Sequence, residues 1–125
     1  MMSVLGIIAT ELNSLNIPYE FMEWTDPVQY PYWVGEYSEI APTTEDGHKE
    51  STVILTGTTK GTWLELEQTR AIIEKHFSPI CGLQKSTDDG AVVIFYGNSF
   101  PVPTGEADLK RIQINLQIHE MKGAI

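Results

Sequence analysis

The chain has 125 residues, with 8 Lys and Arg against 17 Asp and Glu, so its formal net charge is −9. This length predicts one domain spanning residues 1–125. The acidic excess argues against sequence-specific nucleic-acid binding, which needs clustered Lys and Arg, and against docking on an anionic membrane. The single cysteine, Cys81, excludes an internal disulfide, and no basic region precedes an apolar core at the N-terminus. We therefore expect a soluble domain made in a reducing compartment, without a signal peptide.

The first half of the chain predicts a helix followed by three strands. Ser3 is a candidate N-cap, and Asn16 is a candidate left-handed stop for the helix. The helical face is formed by four apolar residues, Leu5, Ile8, Leu12 and Leu15. Strands are predicted at residues 19–24, 31–37 and 50–56. A polar loop from Ser38 to Lys49 separates the second strand from the third.

The second half predicts a helix followed by a hairpin and a long strand. Gly57 to Gly61 is a predicted turn, and Thr62 with Glu65 fits a capping box at the start of a helix that ends near Phe77. The predicted inner stripe of this helix consists of Trp63, Leu66, Ile73 and Phe77. Asp88-Asp89-Gly90 predicts a hairpin between strands 83–87 and 91–96, followed by a second long loop, Gly97–Asp108.

The last strand shows the clearest alternation in the chain. Apolar Ile112, Ile114, Leu116 and Ile118 alternate with polar residues, so one face is expected in the core and the other in water. The order helix, three strands, helix, three strands indicates an α+β domain. We expect a mostly antiparallel β-sheet with two helices packed on one face.

No constellation of residues predicts catalysis or metal binding. The segment Gly57–Thr62 lacks phosphate-loop spacing, since three residues separate its glycines and Lys60 precedes the second. His48, His76 and His119 show no metal-ligand spacing, and we expect His119 on a solvated edge. Cys81 is expected to be a buried or half-buried filler. We predict no catalytic residues, no cofactor and no metal.

Five aromatic residues are concentrated in one short segment: Trp24, Tyr30, Tyr32, Trp33 and Tyr37. Their density indicates an aromatic ligand surface around Trp24–Tyr37. In a strand, however, alternate positions are buried, so part of this group is expected to belong to the core. The alternative function that this segment leaves open is a small binding or regulatory module.

The order of elements resembles that of a known family of phage proteins. A short helix leads to Pro31-Tyr32-Trp33-Val34, and a polar loop then ends in the strand Ser51-Thr52-Val53-Ile54-Leu55. A helix from Leu64 to Phe77, a hairpin and a closing strand from Leu109 to Glu120 follow. This layout resembles the tail terminator, or tail completion, proteins of long-tailed phages and prophages, which are also called minor tail or head–tail joining proteins.

The resemblance implies a structural protein that is not an enzyme. Such a subunit assembles as a hexameric ring, caps the tail tube and joins it to the head, so its expected partners are copies of itself, a tail-tube protein and a head-completion protein. Its expected location is the head-proximal end of the virion tail, after assembly in the cytoplasm of the bacterial host. The two long loops supply the candidate interface residues, which are Glu39, Glu45, Asp46, His48, Phe100, Glu106 and Asp108.

Overall fold

The computed structural model describes residues 4–22, 27, 29–39, 48–87 and 90–122. Within these residues the chain forms two helices and six strands. In chain order they are α1 (Val4–Ser14), β1 (Tyr19–Phe21), β2 (Tyr32–Glu39), β3 (His48–Thr59), α2 (Trp63–Phe77), β4 (Leu83–Thr87), β5 (Gly90–Val102) and β6 (Lys110–Lys122). The predicted order of elements is confirmed.

The six strands form one sheet in the order β1-β2-β3-β6-β5-β4. Strands β1 and β2 are parallel, and the other neighbouring pairs are antiparallel. The domain is therefore α+β with a mostly antiparallel sheet, as predicted. Its long strands β3, β6 and β5 form the middle, and its shortest strand, β1, forms one edge.

The core lies on one face of this sheet, which we call the inner face. Along β6, the side chains of Ile112, Ile114, Leu116 and Ile118 are at most 3% exposed, and those between them are half-buried. The register places Leu116 between Val53 of β3 and Tyr96 of β5. The alternation predicted for the last strand is thus confirmed, and its neighbours continue the same buried rows.

Residues of both helices join the same core cluster as these strands. From α1 the buried residues are Val4, Ile7, Ile8 and Leu12, whereas Leu5 and Leu15 are only partly buried. Asn16 has a φ of 60°, so it provides the left-handed stop that the sequence predicts. The predicted N-cap, Ser3, lies outside the described residues.

Helix α2 begins with the predicted capping box. The Thr62 hydroxyl accepts a hydrogen bond from the Glu65 amide, and the Glu65 carboxylate accepts one from the Thr62 amide at 3.1 Å. Leu66, Ile73 and Phe77 are fully buried, as predicted. Trp63 was expected beside them, but its side chain is 45% exposed because it lies in the first turn, at the margin of the stripe.

Two aromatic rings of the inner face lie over glycines of the next strand. Tyr19 covers Gly35, and Trp33 covers Gly57, where an added Cβ would lie 2.6 Å from three ring atoms. The register pairs Trp33 directly with Gly57, whereas the Tyr19 ring reaches Gly35 diagonally, since Gly35 is paired with Phe21. Each glycine therefore leaves the volume that the neighbouring ring fills, which explains a glycine inside a strand.

Several predicted boundaries and environments are wrong. Strand β3 begins at His48 and runs through the predicted turn to Thr59, and β5 continues to Val102, so half of the predicted loop Gly97–Asp108 is strand. Cys81 is exposed, because it lies in the turn after α2 and not in the core. His119 lies on β6, which is an interior strand, so it is not at a sheet edge.

Candidate assembly surface

The face of the sheet opposite the core carries a patch with few charges. Three register rows across β2, β3, β6 and β5 form its centre. These rows are Val34–Thr56–Gln113–Phe100, Glu36–Ile54–Asn115–Asn98 and Ser38–Thr52–Gln117–Phe95, and we call them together the outer-face patch. Glu36 is its one charged member, although 20% of all residues are charged.

Hydrogen bonds between amide side chains hold the middle of the outer-face patch. Gln113 Nε2 donates to Asn115 Oδ1 at 3.2 Å, and Asn115 Nδ2 donates to Asn98 Oδ1 at 2.8 Å. Beside them the Phe100 side chain is 43% exposed. Uncharged polar groups next to an exposed aromatic ring match the centre of protein interfaces, where charged residues are depleted.

The adjoining edge of β5 is interrupted. β4 pairs with β5 only from Gly90 to Ile94, so within the described residues Phe95–Val102 pairs only with β6. A bulge at Gly97 and the proline at position 101 break the regular pattern of this edge. Such features prevent continuous pairing with another strand. Addition of a strand at this edge is therefore disfavoured.

The predicted interface residues are not brought together. Phe100 lies in the outer-face patch. Glu106 and Asp108 are exposed in the connection between β5 and β6, at one end of the sheet. Glu39 ends β2 and His48 begins β3, at the other end. Glu45 and Asp46 lie outside the described residues.

The aromatic segment is divided between core and surface. Trp33 is 1% exposed, and Tyr37 is partly buried against the core. Tyr30 is 41% exposed, its ring centroid lies 5.7 Å from that of Tyr32, and Lys60 Nζ lies 5.7 Å from the Tyr30 centroid. Trp24 lies outside the described residues. What remains at the surface is thus a pair of tyrosines with a lysine.

A half-buried carboxylate ties the two helices to an edge strand. Glu11 Oε1 on α1 lies 3.0 Å from His76 Nε2 on α2 and 3.6 Å from Lys85 Nζ on β4. The Glu11 side chain is 14% exposed, so the two neighbouring nitrogens compensate for its burial. This arrangement joins three elements and accounts for the position of His76.

A second network connects α2 with β5. The Arg70 guanidinium donates to Glu74 at 2.7 Å, to Glu67 at 2.9 Å and to the Tyr96 hydroxyl at 3.3 Å. Hydrogen bonds to Tyr96, Glu74 and Glu67 raise the pKa of Arg70 above its ordinary value, so the guanidinium stays charged. The Tyr96 hydroxyl in turn donates to Ser99 at 2.7 Å, beyond the bulge. The network fixes the position of the bulged segment.

His119 is the only histidine near the outer-face patch among the described side chains. Its Nδ1 lies 3.5 Å from Glu50 Oε1, and its ring meets the Phe95 ring edge-on at 5.7 Å between centroids. Among the described residues, no group of three or more His, Cys, Asp or Glu side chains could hold a metal ion. The contacts of His119 are those of a side chain packed at the margin of the patch.

Comparison with known proteins adds no family to this geometry. No protein-family model matches the chain, and no curated protein matches its sequence. Among the helices that the structure describes, none is long and apolar enough to cross a membrane.

The sequence does not predict the outer-face patch as a whole, although it does predict that the polar positions of the last strand face water. The other residues of the patch lie on strands that are distant in the sequence and become neighbours only in the folded sheet.

Proposed function

We propose that this chain is a tail terminator, a structural subunit that assembles as a hexameric ring, caps a phage-type tail tube and joins it to the head. The order of its elements supports the proposal, because it is the order on which the resemblance rests. The observation that carries the proposal is the outer-face patch. A surface with few charges can be covered by another protein without the cost of burying unpaired ions.

The arrangement of the layers belongs to the same proposal. Both helices cover the inner face of the sheet, and the outer face is left for neighbouring subunits. The shared core cluster supports this arrangement, since Leu12 of α1, Leu66 of α2 and Leu116 of β6 all belong to it. The three rows of the outer-face patch, which are mostly amide, hydroxyl and apolar side chains, then face the neighbouring subunit.

The charge of the chain is consistent with this role. A net charge of −9 opposes unspecific association between free subunits. Assembly then depends on a complementary surface, supplied by copies of the chain, the tail-tube protein and the head-completion protein. The work of such a subunit needs no cofactor, and its place is the head-proximal end of the tail after assembly in the host cytoplasm.

The experiment introduces charge into the outer-face patch while leaving its shape nearly unchanged. In the variant Asn98→Asp with Gln117→Glu, the carboxylate at position 98 still accepts the hydrogen bond from Asn115. We expect the variant to melt close to the parent and to lose assembly, measured by analytical ultracentrifugation with and without tail-tube protein. Burying two unpaired carboxylates in each interface would be strongly unfavourable.

The matched control is Gln84→Glu with Ser86→Asp, which adds the same two charges at exposed positions on β4, outside the patch. It should assemble like the parent. If the double variant assembles as well as the control, the outer-face patch is not the assembly surface. If neither the parent nor the control assembles under any condition, the proposed function fails.

A further inference from the structure

Helix α2 has exposed apolar residues on the side opposite its buried ones. The buried stripe is Leu66, Ile73 and Phe77. On the other side the Leu64 side chain is 63% exposed and the Ile72 side chain 47% exposed. Helical spacing places these two with three further exposed residues, and we call the set Leu64, Gln68, Ala71, Ile72 and Lys75 the α2 outer stripe.

A helix that is apolar on two sides is usually packed between two layers. The inner side of α2 packs on the sheet, through contacts with β3, β5 and β6. On the outer stripe the described residues supply no second layer. Leu64 and Ile72 lie about two turns apart on this one stripe, with Ala71 beside Ile72, so the exposed apolar groups share one side of the helix.

A groove adjoins the outer stripe where α1 ends beside α2. It has a volume of about 390 Å³ and is lined by Leu15, Ile72, Lys75 and His76. Leu15 and Ile72 provide apolar walls, and the two basic side chains lie next to them. A groove between helices with apolar walls and a few polar groups fits the apolar residues of an incoming helix.

The charges around the groove define what can bind there. His76 is already engaged by Glu11, and Arg70 on the other flank of α2 is engaged by Glu67 and Glu74. Lys75 is exposed and makes no ion pair with any described residue. The outer stripe therefore carries one charge, and that charge is positive in a chain of net charge −9.

We propose that the α2 outer stripe and the adjoining groove bind an amphipathic helix of a partner protein. This helix inserts apolar side chains against Leu15 and Ile72 and places a carboxylate beside Lys75. The stripe of a second copy contains no carboxylate to meet Lys75, so a different chain is the better occupant. The surface is separate from the outer-face patch and does not rest on the proposed function.

The test uses a synthetic amphipathic helix with leucines at i, i+3, i+4 and i+7 and flanking glutamates, together with its twin in which lysines replace the glutamates. Binding is followed by amide chemical shifts in NMR spectra of the full chain. We expect saturable shifts confined to residues 64–76 and Leu15, with the glutamate peptide binding about fivefold more tightly than its twin. The negative net charge of the chain favours the lysine peptide. Tighter binding of the glutamate peptide would therefore come from the positive charge of Lys75.

Two variants locate the site. Ile72→Gln should weaken binding of the glutamate peptide at least about tenfold, because an apolar contact is lost. Lys75→Glu should reverse the preference between the peptides, whereas Lys60→Glu, the same change at an exposed lysine before α2, should leave it as in the parent. All three positions are at the surface. If Ile72→Gln fails to fold, the peptide preference of Lys75→Glu alone decides whether the stripe is the binding site.

The proposal is overturned if the shifts are absent or scattered, or if they map to the sheet. It is also overturned if the lysine peptide binds as tightly as the glutamate peptide. Concentration-dependent association of the parent that Ile72→Gln abolishes would assign the stripe to a second copy, against the proposal.

Discussion

Replacement of Gly57 by alanine tests the packing of the inner face. The added Cβ would lie 2.6 Å from three atoms of the Trp33 ring, whereas carbon atoms in contact are normally about 3.5–4.0 Å apart. The ring would have to retreat by about 1 Å, but Trp33 is 1% exposed and enclosed by the core. Overpacking of this kind costs about 1–3 kcal/mol.

The expected loss exceeds the ordinary benefit of replacing glycine. Alanine inside a strand is favoured over glycine by roughly 0.5–1 kcal/mol, because glycine loses more conformational freedom on folding. We therefore expect Gly57→Ala to lower the free energy of unfolding by about 1 kcal/mol, the middle of a range of about 0–2.5 kcal/mol, measured by urea denaturation. The sign alone is informative, since strand propensity without the Trp33 contact predicts stabilisation.

A second substitution makes the explanation specific. Trp33→Phe removes the ring atoms that lie closest to the new methyl group, so the double variant should lose less than the sum of the two single losses, by about 1 kcal/mol. Gly105 is a contrasting position, where a Cβ meets nothing within 4 Å and the φ is 79°. The loss of unfolding free energy in Gly105→Ala should therefore come from the backbone conformation alone, and Trp33→Phe should not change it. Stabilisation by Gly57→Ala, or strict additivity with Trp33→Phe, would show that the Trp33 ring does not set the cost of a side chain at position 57.

Three further predictions concern single side chains. Leu116→Ala should cost about 2–5 kcal/mol in chemical denaturation and Gln117→Ala under about 1 kcal/mol, and equal losses would contradict the register of β6. Thr62→Ala should cost about 1 kcal/mol through loss of the capping box, and an unchanged thermal melt would count against it. Burial raises the pKa of Tyr19 from 10.0 to about 12. Between these two pH values the unfolded chain loses the tyrosine proton while the folded chain keeps it. The free energy of unfolding is therefore unaffected by Tyr19 below about pH 10 and falls as the pH rises through this range. Tyr19→Phe should remove this part of the slope and Tyr30→Phe should retain it; identical slopes would contradict the burial effect.

The features that the sequence predicted correctly are local ones. Asn16 stops α1 because its own backbone adopts the left-handed conformation, and Thr62 caps α2 through a residue three positions away. The alternation of β6 is also local, since each side chain alternates with its neighbours along one strand. Sequence patterns that extend over a few neighbouring residues can be recognised without knowing which strands pair in the folded chain.

The features that were missed depend on contacts between distant segments. The extension of β5 beyond Tyr96 was hidden because the bulge at Gly97 breaks the alternation and Pro101 is typical of a loop. The sequence around Gly57 predicts a turn, but a glycine is needed there because the ring of Trp33 on another strand fills the space of a side chain. The outer-face patch needs the strand order, in which β6 lies between β3 and β5. No single segment contains that order.

The most direct test of ring assembly is the mass and shape of the species that the unmodified chain forms. Analytical ultracentrifugation over increasing concentration, followed by negative-stain electron microscopy with and without tail-tube protein, measures both. If the chain is a tail terminator, it is expected to form closed rings of six copies, alone or on the end of a tail tube. A chain that stays strictly monomeric at high concentration, both alone and with tail-tube protein, would contradict this expectation.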